Sequence, residues 1–312
     1  MNETTMIPEA ENQALSANAI RAPRQSFYQT DFKELDRELS PREQDEWNAI
    51  YASFSSHSIL NGMVIGVDKI KLPQQRGDEW TDTEMSCLVI VDYRVKVLIP
   101  APFVWSDGAE HPDFILNSML GAKLDYIITA VDREGGCAIG SRTEASVMNR
   151  RHAKNVRRLA EGERISCTVL TVGPTRLRAT AHGYDFLLSQ NSLSYSYLGD
   201  LREIYRPGQE LQAVVIALDD DHMTASVKLA EPNPYEGAIL RHPVGSRRMA
   251  SITGKYAGGV FCRLPDGCTV VCSYAQQFTD SQFMIGNQVV VQISGESRDK
   301  NWLRATIRGK IG

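Results

Sequence analysis

The amino-acid sequence predicts a mostly β protein that is built from repeated β-rich blocks. Short runs of alternating apolar and polar residues recur along most of the chain, and clusters of turn-forming residues separate them, which is typical of β-hairpins. Three blocks share one order of features: an opening strand, a glycine-rich hairpin, a loop, a strand that begins near a glycine, a charged turn and a closing strand. This shared order indicates tandem repeats rather than one large domain.

The composition is that of a globular protein with several domains. The chain has 312 residues, of which 42% are hydrophobic and 23% are charged. No run approaches the roughly 18 apolar residues that a membrane helix needs, and the polar N-terminus lacks the apolar region of a signal peptide. We therefore expect a cytoplasmic protein with no membrane partner.

The net charge of −4 conceals an uneven distribution along the chain. Residues 1–60 carry ten acids and five bases, a net of −5, whereas residues 241–312 carry ten bases and four acids, a net of +6. A basic C-terminal third suits a surface that meets phosphate groups. The alternative is an ordinary solvated face.

The N-terminal region divides into a polar tail and a helical segment. Residues 1–25 have no apolar period and are expected to be disordered. Within 26–56 we predict a helix that starts after Ser40, because Ser40 can cap it, Pro41 suits its first position and Glu43 can close a capping box. The following apolar residues share one face: Trp47, Ile50, Tyr51 and Phe54. Packing on the first block is the favoured interpretation, and docking on a partner is the alternative.

The first block covers residues 57–144. It is expected to contain an opening strand over 62–67, an acidic insertion over 74–84, and two strands within 87–100 that are joined by a turn near Asp92. The long insertion makes this block the most divergent of the three.

Residues 145–161 are predicted to form a basic amphipathic linker helix. Apolar residues recur at helical spacing, and His152 falls on their face, so we expect it in the core. Five bases lie off that face: Arg150, Arg151, Lys154, Arg157 and Arg158. The helix could simply join two blocks, or its bases could follow a phosphate backbone, and both possibilities stay open here.

The second block covers residues 162–232, and the third covers 233–312. The clearest hairpin lies near the end of the second block, in the stretch 208–237. Alternating apolar residues lead into the acidic turn Asp219–Asp221, and a short second strand follows. The acidic residues are interpreted as turn formers rather than as ligands of a divalent ion.

Several short motifs resemble those of the bacterial ribosomal protein S1 family. The GQ entry at Gly208, the acidic turn, Ser226–Lys228 and the exit EPNPYE are similar to the end of one of its RNA-binding repeats. Residues 254–267 (GKYAGGVFCRLPDG) resemble the second-strand signature of the family, which has an aromatic residue, a glycine, a second aromatic and a turn ending in Asp-Gly. The stretch 141–145 is similar to a repeat end. The resemblance implies three tandem OB-fold repeats, each a five-stranded Greek-key barrel, with an N-terminal helix and a basic linker helix.

The resemblance also implies a non-catalytic protein that binds single-stranded RNA such as mRNA, with the small ribosomal subunit as a further candidate partner and without a cofactor or small-molecule substrate. Aromatic rings on an OB barrel stack on bases, while Lys and Arg meet phosphates. The candidate RNA-binding residues are Lys255, Tyr256, Phe261, Arg263, Tyr274 and Arg304 in the third block, Arg176, Arg178, Tyr184 and Phe186 in the second, and Tyr93, Arg94 and Lys96 in the first.

Two departures from the family keep other functions open. The glycine and aromatic usual in the second strand are replaced around 175–177, and Ser273 stands where a histidine is common. A protein-interaction scaffold whose barrels have lost RNA affinity is therefore the main alternative, and an RNA-processing enzyme with accessory barrels is the least favoured.

The six cysteines are interpreted as free buried thiols. The sequence has no CxxC pair, and Cys262 and Cys272 fit the period of their strands. We accordingly expect no metal site among the cysteines at 262, 268 and 272.

Overall fold

The computed structural model describes residues 39–76, 79–105, 111–112, 114–196, 198–297 and 302–311. The expected disordered tail, 1–25, lies outside these ranges. No helix within them is both long and apolar enough to cross a membrane.

The described strands form three five-stranded units, which confirms the predicted fold class. Barrel 1 consists of β1 (Leu60–Arg76), β2 (Glu79–Val91), β3 (Lys96–Pro100), β4 (Lys123–Asp132) and β5 (Cys137–Ser141). Barrel 2 consists of β6 (Arg164–Val172), β7 (Arg176–Ala181), β8 (Tyr184–Ser189), β9 (Glu210–Leu218) and β10 (Met223–Ser226). Barrel 3 consists of β11 (Arg247–Tyr256), β12 (Gly259–Arg263), β13 (Thr269–Tyr274), β14 (Gln288–Ser297) and β15 (Trp302–Lys310).

One strand order recurs in all three units. Barrels 1 and 3 are closed in the order first, second, third, fifth, fourth, and the third and fifth strands pair in parallel. Barrel 2 has the same order, with β8 and β10 at the two ends of its sheet. Closure leaves no unpaired edge in barrels 1 and 3, since every strand has two neighbours.

Six short or medium α-helices accompany the described strands. They are α1 (Pro41–Ser56), α2 (Phe114–Asn117), α3 (Arg142–His152), α4 (Gln190–Leu193), α5 (Leu201–Ile204) and α6 (Ala238–Arg241). A π-helical turn, Ala153–Arg157, continues α3, and 3-10 turns lie at Ala101–Phe103, Lys228–Ala230 and Asp280–Gln282.

Helix α1 packs on barrel 1, as the favoured interpretation predicted. Its capping box is present: the Ser40 amide donates to Glu43 Oε2 at 2.9 Å, and the Glu43 amide donates to Ser40 Oγ at 3.4 Å. Trp47 and Ile50 are buried in the core of barrel 1. Ser53 Oγ also accepts the amide hydrogen of Ile128 from β4 at 3.0 Å.

The predicted insertion over 74–84 is not a separate loop. Strand β1 continues to Arg76, and β2 begins at Glu79, so the two strands form one long hairpin. Continuous pairing satisfies the backbone groups that a loop would expose.

The linker helix starts at Arg142, three residues earlier than predicted, because Ser141 Oγ caps it by accepting the Glu144 amide at 3.2 Å. The prediction that His152 lies in the core is wrong, since this side chain is exposed. The buried face instead includes Ala145, Ser146 and Ala153.

A buried ion pair joins barrel 1 to barrel 2. The Arg142 guanidinium donates to both carboxylate oxygens of Asp185, at 2.5 and 2.8 Å, and to the Val104 carbonyl oxygen at 2.7 Å. The two charged side chains are only 3% and 4% exposed. Leu170 of β6 packs within the core of barrel 1. Barrels 1 and 2 are therefore packed through both a charge pair and apolar contact.

Backbone also approaches backbone closely at this junction. Gly208 has a φ of +80°, and a Cβ added there would lie 2.2 Å from the carbonyl oxygen of Gly121 in barrel 1. Only glycine fits this position.

We expect Arg142→Met to destabilise the packed pair of barrels by about 3–5 kcal/mol, because Asp185 would remain buried without its partner. Urea unfolding followed by circular dichroism measures the effect. The double variant Arg142→Met with Asp185→Leu should recover much of the loss, since it removes both charges. Arg202→Ala, which breaks an exposed pair with Asp200, is the control and should leave the midpoint unchanged. A midpoint that Arg142→Met does not alter would contradict this role.

Candidate nucleic-acid interface

The outer face of barrel 3 carries a row of residues that crosses four strands. Phe261 on β12 pairs with Gly254 on β11 and with Val271 on β13, and Val271 pairs with Arg304 on β15. Because strands lie 4.7–4.9 Å apart, Phe261 and Arg304 are about 10 Å from each other across the sheet. Gly254 offers no side chain beside the Phe261 ring.

Three aromatic rings meet on this face and are called the aromatic cluster: Tyr256, Phe261 and Trp302. The ring centroids of Tyr256 and Phe261 are 5.0 Å apart, and those of Phe261 and Trp302 are 5.7 Å apart in an edge-to-face arrangement. Tyr256 is 36% exposed, while Phe261 and Trp302 are half-buried. A Cβ on Gly259 would lie 2.6 Å from Tyr256 Oη, so this glycine allows the ring to lie over the sheet.

Trp302, which begins β15, is not among the candidates predicted from the sequence. Its aromatic character within the third block is the signal that could have indicated it.

The basic residues of barrel 3 differ in whether they form ion pairs within the protein. Arg263 and Arg304 are exposed, and Arg304 makes no ion pair within the described part of the chain. Lys255 Nζ contacts the Asp280 carboxylate at 3.1 Å. Tyr274 donates to the other oxygen of Asp280 at 2.6 Å. These two hydrogen bonds lower the pKa of Asp280, which stays charged and offsets the charge of Lys255.

Tyr274 is further engaged by the core of barrel 3. Its ring stacks on the buried ring of Phe283 with centroids 5.5 Å apart. Tyr274 therefore packs against the core of barrel 3, and one face of its ring is covered by Phe283.

Two candidate aromatics of barrel 2 are corrected by the structure. Tyr184 is 3% exposed and Phe186 is 6% exposed, and both pack in the core of barrel 2. Alternation along β8 turns these side chains inward together with Leu188. The prediction that Tyr184 and Phe186 contact RNA is therefore wrong for this fold.

The two candidate arginines of barrel 2 have different surroundings. Arg176 is exposed at the start of β7. The Arg178 guanidinium lies 4.7 Å from the ring centroid of Trp105, a buried residue that follows β3 in barrel 1. Arg178 therefore contributes to the packing of two barrels through a cation–π contact.

The candidates of barrel 1 meet helix α1 or neighbouring acids. Tyr93 is 37% exposed, with the Arg42 guanidinium 4.3 Å from its ring centroid. Glu46 of α1 accepts the Tyr93 amide at 3.0 Å and the Arg94 amide at 3.0 Å. Arg94 forms an ion pair with Glu43, and Lys96 forms one with Asp68. The candidate residues of barrel 1 therefore mainly contact other residues of the protein.

The acidic turn after β9 supplies counter-charges to the linker helix. Lys154 forms an ion pair with Asp220, whose hydrogen bond and negative charge raise the pKa of Lys154. Arg150 approaches Asp221 at 4.0 Å, and on the same helix Arg157 contacts Glu163 at 2.8 Å. Three bases of the helix therefore face carboxylates rather than open solvent.

A cluster of His242, Asp266 and Cys268 brings three possible metal ligands within 4.8 Å of one another. His242 Nε2 and Asp266 Oδ2 are 2.8 Å apart, and Arg248 Nε donates to His242 Nδ1 at 3.1 Å. Arg241 Nε also donates to Asp266 at 3.1 Å. The cluster is a hydrogen-bond network that ties α6 to the turn after β12, and two guanidinium groups beside it disfavour a cation.

The expectation of free buried thiols is confirmed. All six cysteines are free and buried. Burial raises the pKa of Cys87 to about 12 and that of Cys167 to about 11, so these thiols are poor nucleophiles.

No protein-family model matches the chain. The chain is similar to the small ribosomal subunit protein bS1 of Neisseria meningitidis, with 22% identity over 238 residues, which are 75% of this chain and 38% of that protein. It is also similar to bS1 of Chlamydia trachomatis, with 20% identity over 260 residues, which are 82% of this chain and 42% of that protein. The predicted resemblance to the ribosomal protein S1 family is thereby confirmed. The chain spans about two fifths of the length of these curated relatives.

Among solved structures, a multidomain protein with nucleic acid binding domains from Streptococcus pneumoniae matches 80% of this chain and 73% of its own, with 10% identity and a TM-score of 0.20. A TM-score this low supports no conclusion about function.

We expect Asp220→Asn to raise the affinity of the chain for single-stranded RNA, because it releases Lys154 to meet a phosphate. The slope of log Kobs against log salt should steepen by about 0.7 for one new phosphate contact. Fluorescence anisotropy with a labelled oligonucleotide measures both quantities. Asp200→Asn is the matched control, since it removes the same charge at a pair with Arg202 on α5. Equal behaviour of the two variants would show that Lys154 is not held back by Asp220.

Proposed function

We propose that the chain is a non-catalytic protein that binds single-stranded RNA, and that barrel 3 carries its principal binding face. The observation that carries the proposal is the aromatic cluster on the outer face, with the exposed Arg304 in the row of Phe261. Stacking on such rings contributes roughly 1–3 kcal/mol per base and tolerates any sequence. Arg304 is placed to meet a neighbouring phosphate.

Electrostatics supports the same face. The segment 241–312 carries a net charge of +6. Each phosphate contact adds affinity through counterion release, so binding should weaken as salt rises. A duplex hides the faces of its bases within the stack, and the aromatic cluster should therefore favour unpaired strands.

The similarity to bS1 supports a role in translation. We propose mRNA as the RNA partner, the small ribosomal subunit as a second partner, and the cytoplasm as the location. Several weak modules on one chain gain affinity through effective concentration, and three tandem barrels suit a long flexible strand. Because the chain spans about two fifths of those relatives, their partners remain proposals for it.

A protein-interaction scaffold is the second candidate function, and a specific observation favours it for part of the chain. The candidate residues of barrels 1 and 2 are mostly engaged within the protein: α1 covers the turn at Tyr93, Arg178 lies over Trp105, and Tyr184 is buried. On this reading barrels 1 and 2 hold barrel 3 in place and present other surfaces to a protein partner.

We expect Tyr256→Ala and Phe261→Leu each to weaken binding of a labelled single-stranded RNA by about tenfold, which corresponds to one lost stacking contact. Leucine retains apolar bulk at 261 and removes only the ring. Tyr93→Ala is the matched control, because Tyr93 has almost the same exposed fraction and lies on barrel 1. Thermal unfolding confirms that each variant is folded.

Wild-type affinity in both barrel 3 variants would show that the binding face is misplaced. A loss in Tyr93→Ala alone would move the face to barrel 1.

A further inference from the structure

A groove of about 690 Å³ lies between barrel 2 and barrel 3, next to the aromatic cluster. Both barrels supply its walls. The lining side chains used below are Lys255, Phe261 and Trp302 from barrel 3, and Asn191, Tyr195 and Lys228 from barrel 2. Its volume falls in the range of pockets that hold small ligands, and a nucleotide fits within it.

The two walls are tied to each other through Tyr195. This residue follows α4 in barrel 2, yet its ring packs against the core of barrel 3. Tyr195 and Tyr235 meet edge to face with ring centroids 6.1 Å apart, and Tyr235 Oη donates to the Tyr195 carbonyl oxygen at 3.4 Å. The Thr269 amide of β13 donates to Tyr235 Oη at 3.1 Å. The groove is therefore formed before any ligand arrives.

The groove presents a positive charge beside its rings. Lys228 Nζ lies 4.5 Å from the ring centroid of Tyr195. None of the ion pairs formed by the described residues includes Lys228, unlike Lys255, which contacts Asp280. An uncompensated ammonium group at this place is complementary to a phosphate.

The barrel 2 side of the groove also carries a side-chain amide. Asn191 of α4 is exposed, and its side-chain amide has no hydrogen-bond partner among the described residues. An amide provides both donors and an acceptor, which matches the edge of an unpaired base.

We propose that this groove is a composite subsite in which one nucleotide of a single-stranded RNA is held by both barrels, with its base beside Phe261 and Trp302, its phosphate at Lys228 and its base edge at Asn191. The inference rests on the proposed function, since the strand reaches the groove from the aromatic cluster. An apolar peptide segment would fill the same space, but it would leave the ammonium of Lys228 without a counter-ion and the amide of Asn191 without a hydrogen-bond partner.

The test compares salt dependence in the full chain. Lys228→Gln should weaken binding of a labelled single-stranded RNA about three- to tenfold, and it should reduce the slope of log Kobs against log salt by about 0.7, the value for one lost phosphate contact. Lys228→Arg should restore both values, because it keeps the charge. Lys154→Gln is the matched control, since it removes the same charge at a site already neutralised by Asp220.

A second measurement reports on the groove directly. An RNA that contains 4-thiouridine is photo-crosslinked to the wild-type chain, and the adducts are located by peptide mass spectrometry. Adducts are expected in the stretch 190–196 of barrel 2 as well as in 253–263 of barrel 3.

The outcomes separate the two proposals. If Tyr256→Ala weakens binding while Lys228→Gln behaves like Lys154→Gln and adducts occur in barrel 3 alone, the composite subsite is overturned and the proposed function stands. If the wild-type chain does not bind RNA, both proposals fail.

Discussion

The parallel pairing of β13 with β15 is the constraint on which the candidate site depends. It closes barrel 3 and brings the closing strand next to the strand that follows Phe261. Arg304 thereby enters the row of Phe261, and Trp302 enters the aromatic cluster. In the sheet of barrel 2 the corresponding strands, β8 and β10, stand at opposite ends. The same fold therefore presents different surfaces in barrels 2 and 3, because among the described strands the third and fifth pair in barrel 3 but not in barrel 2.

Packing between barrels 1 and 2 makes the exposed surfaces of three similarly folded barrels different. The buried pair of Arg142 and Asp185 needs full hydrogen bonding to offset the cost of removing two charges from water. The Arg142 guanidinium also donates hydrogen bonds to neighbouring groups. Arg178 is drawn into the same junction by Trp105. Side chains that could contact RNA in an isolated barrel instead make contacts within this protein. The outer face of barrel 3 lies beyond this junction and keeps its aromatic rings partly exposed.

Local patterns predicted local structure well. Alternation and turn residues indicated β-rich repeats, and the capping residues located the start of α1. The glycine-flanked aromatics predicted Tyr256 and Phe261 as binding residues, and the structure brings these two rings together on barrel 3. The errors have physical causes. Alternation along β8 places Phe186 on the buried face, whereas the resemblance to the S1 family implied that its ring contacts RNA. The partners of Arg178 and Lys154 lie far away in sequence, at Trp105 and Asp220, and contacts between barrels leave no local pattern. The domain boundaries and the other RNA contacts stay predictions.

The most direct test of the account is fluorescence anisotropy of the full chain with a labelled single-stranded RNA and with the duplex of the same sequence, each titrated at several salt concentrations. The account predicts that the single strand binds more tightly than the duplex, and that the logarithm of its binding constant falls linearly with log salt. Equal or tighter binding of the duplex, or no binding of the single strand at low salt, would contradict an interface that works by stacking on unpaired bases.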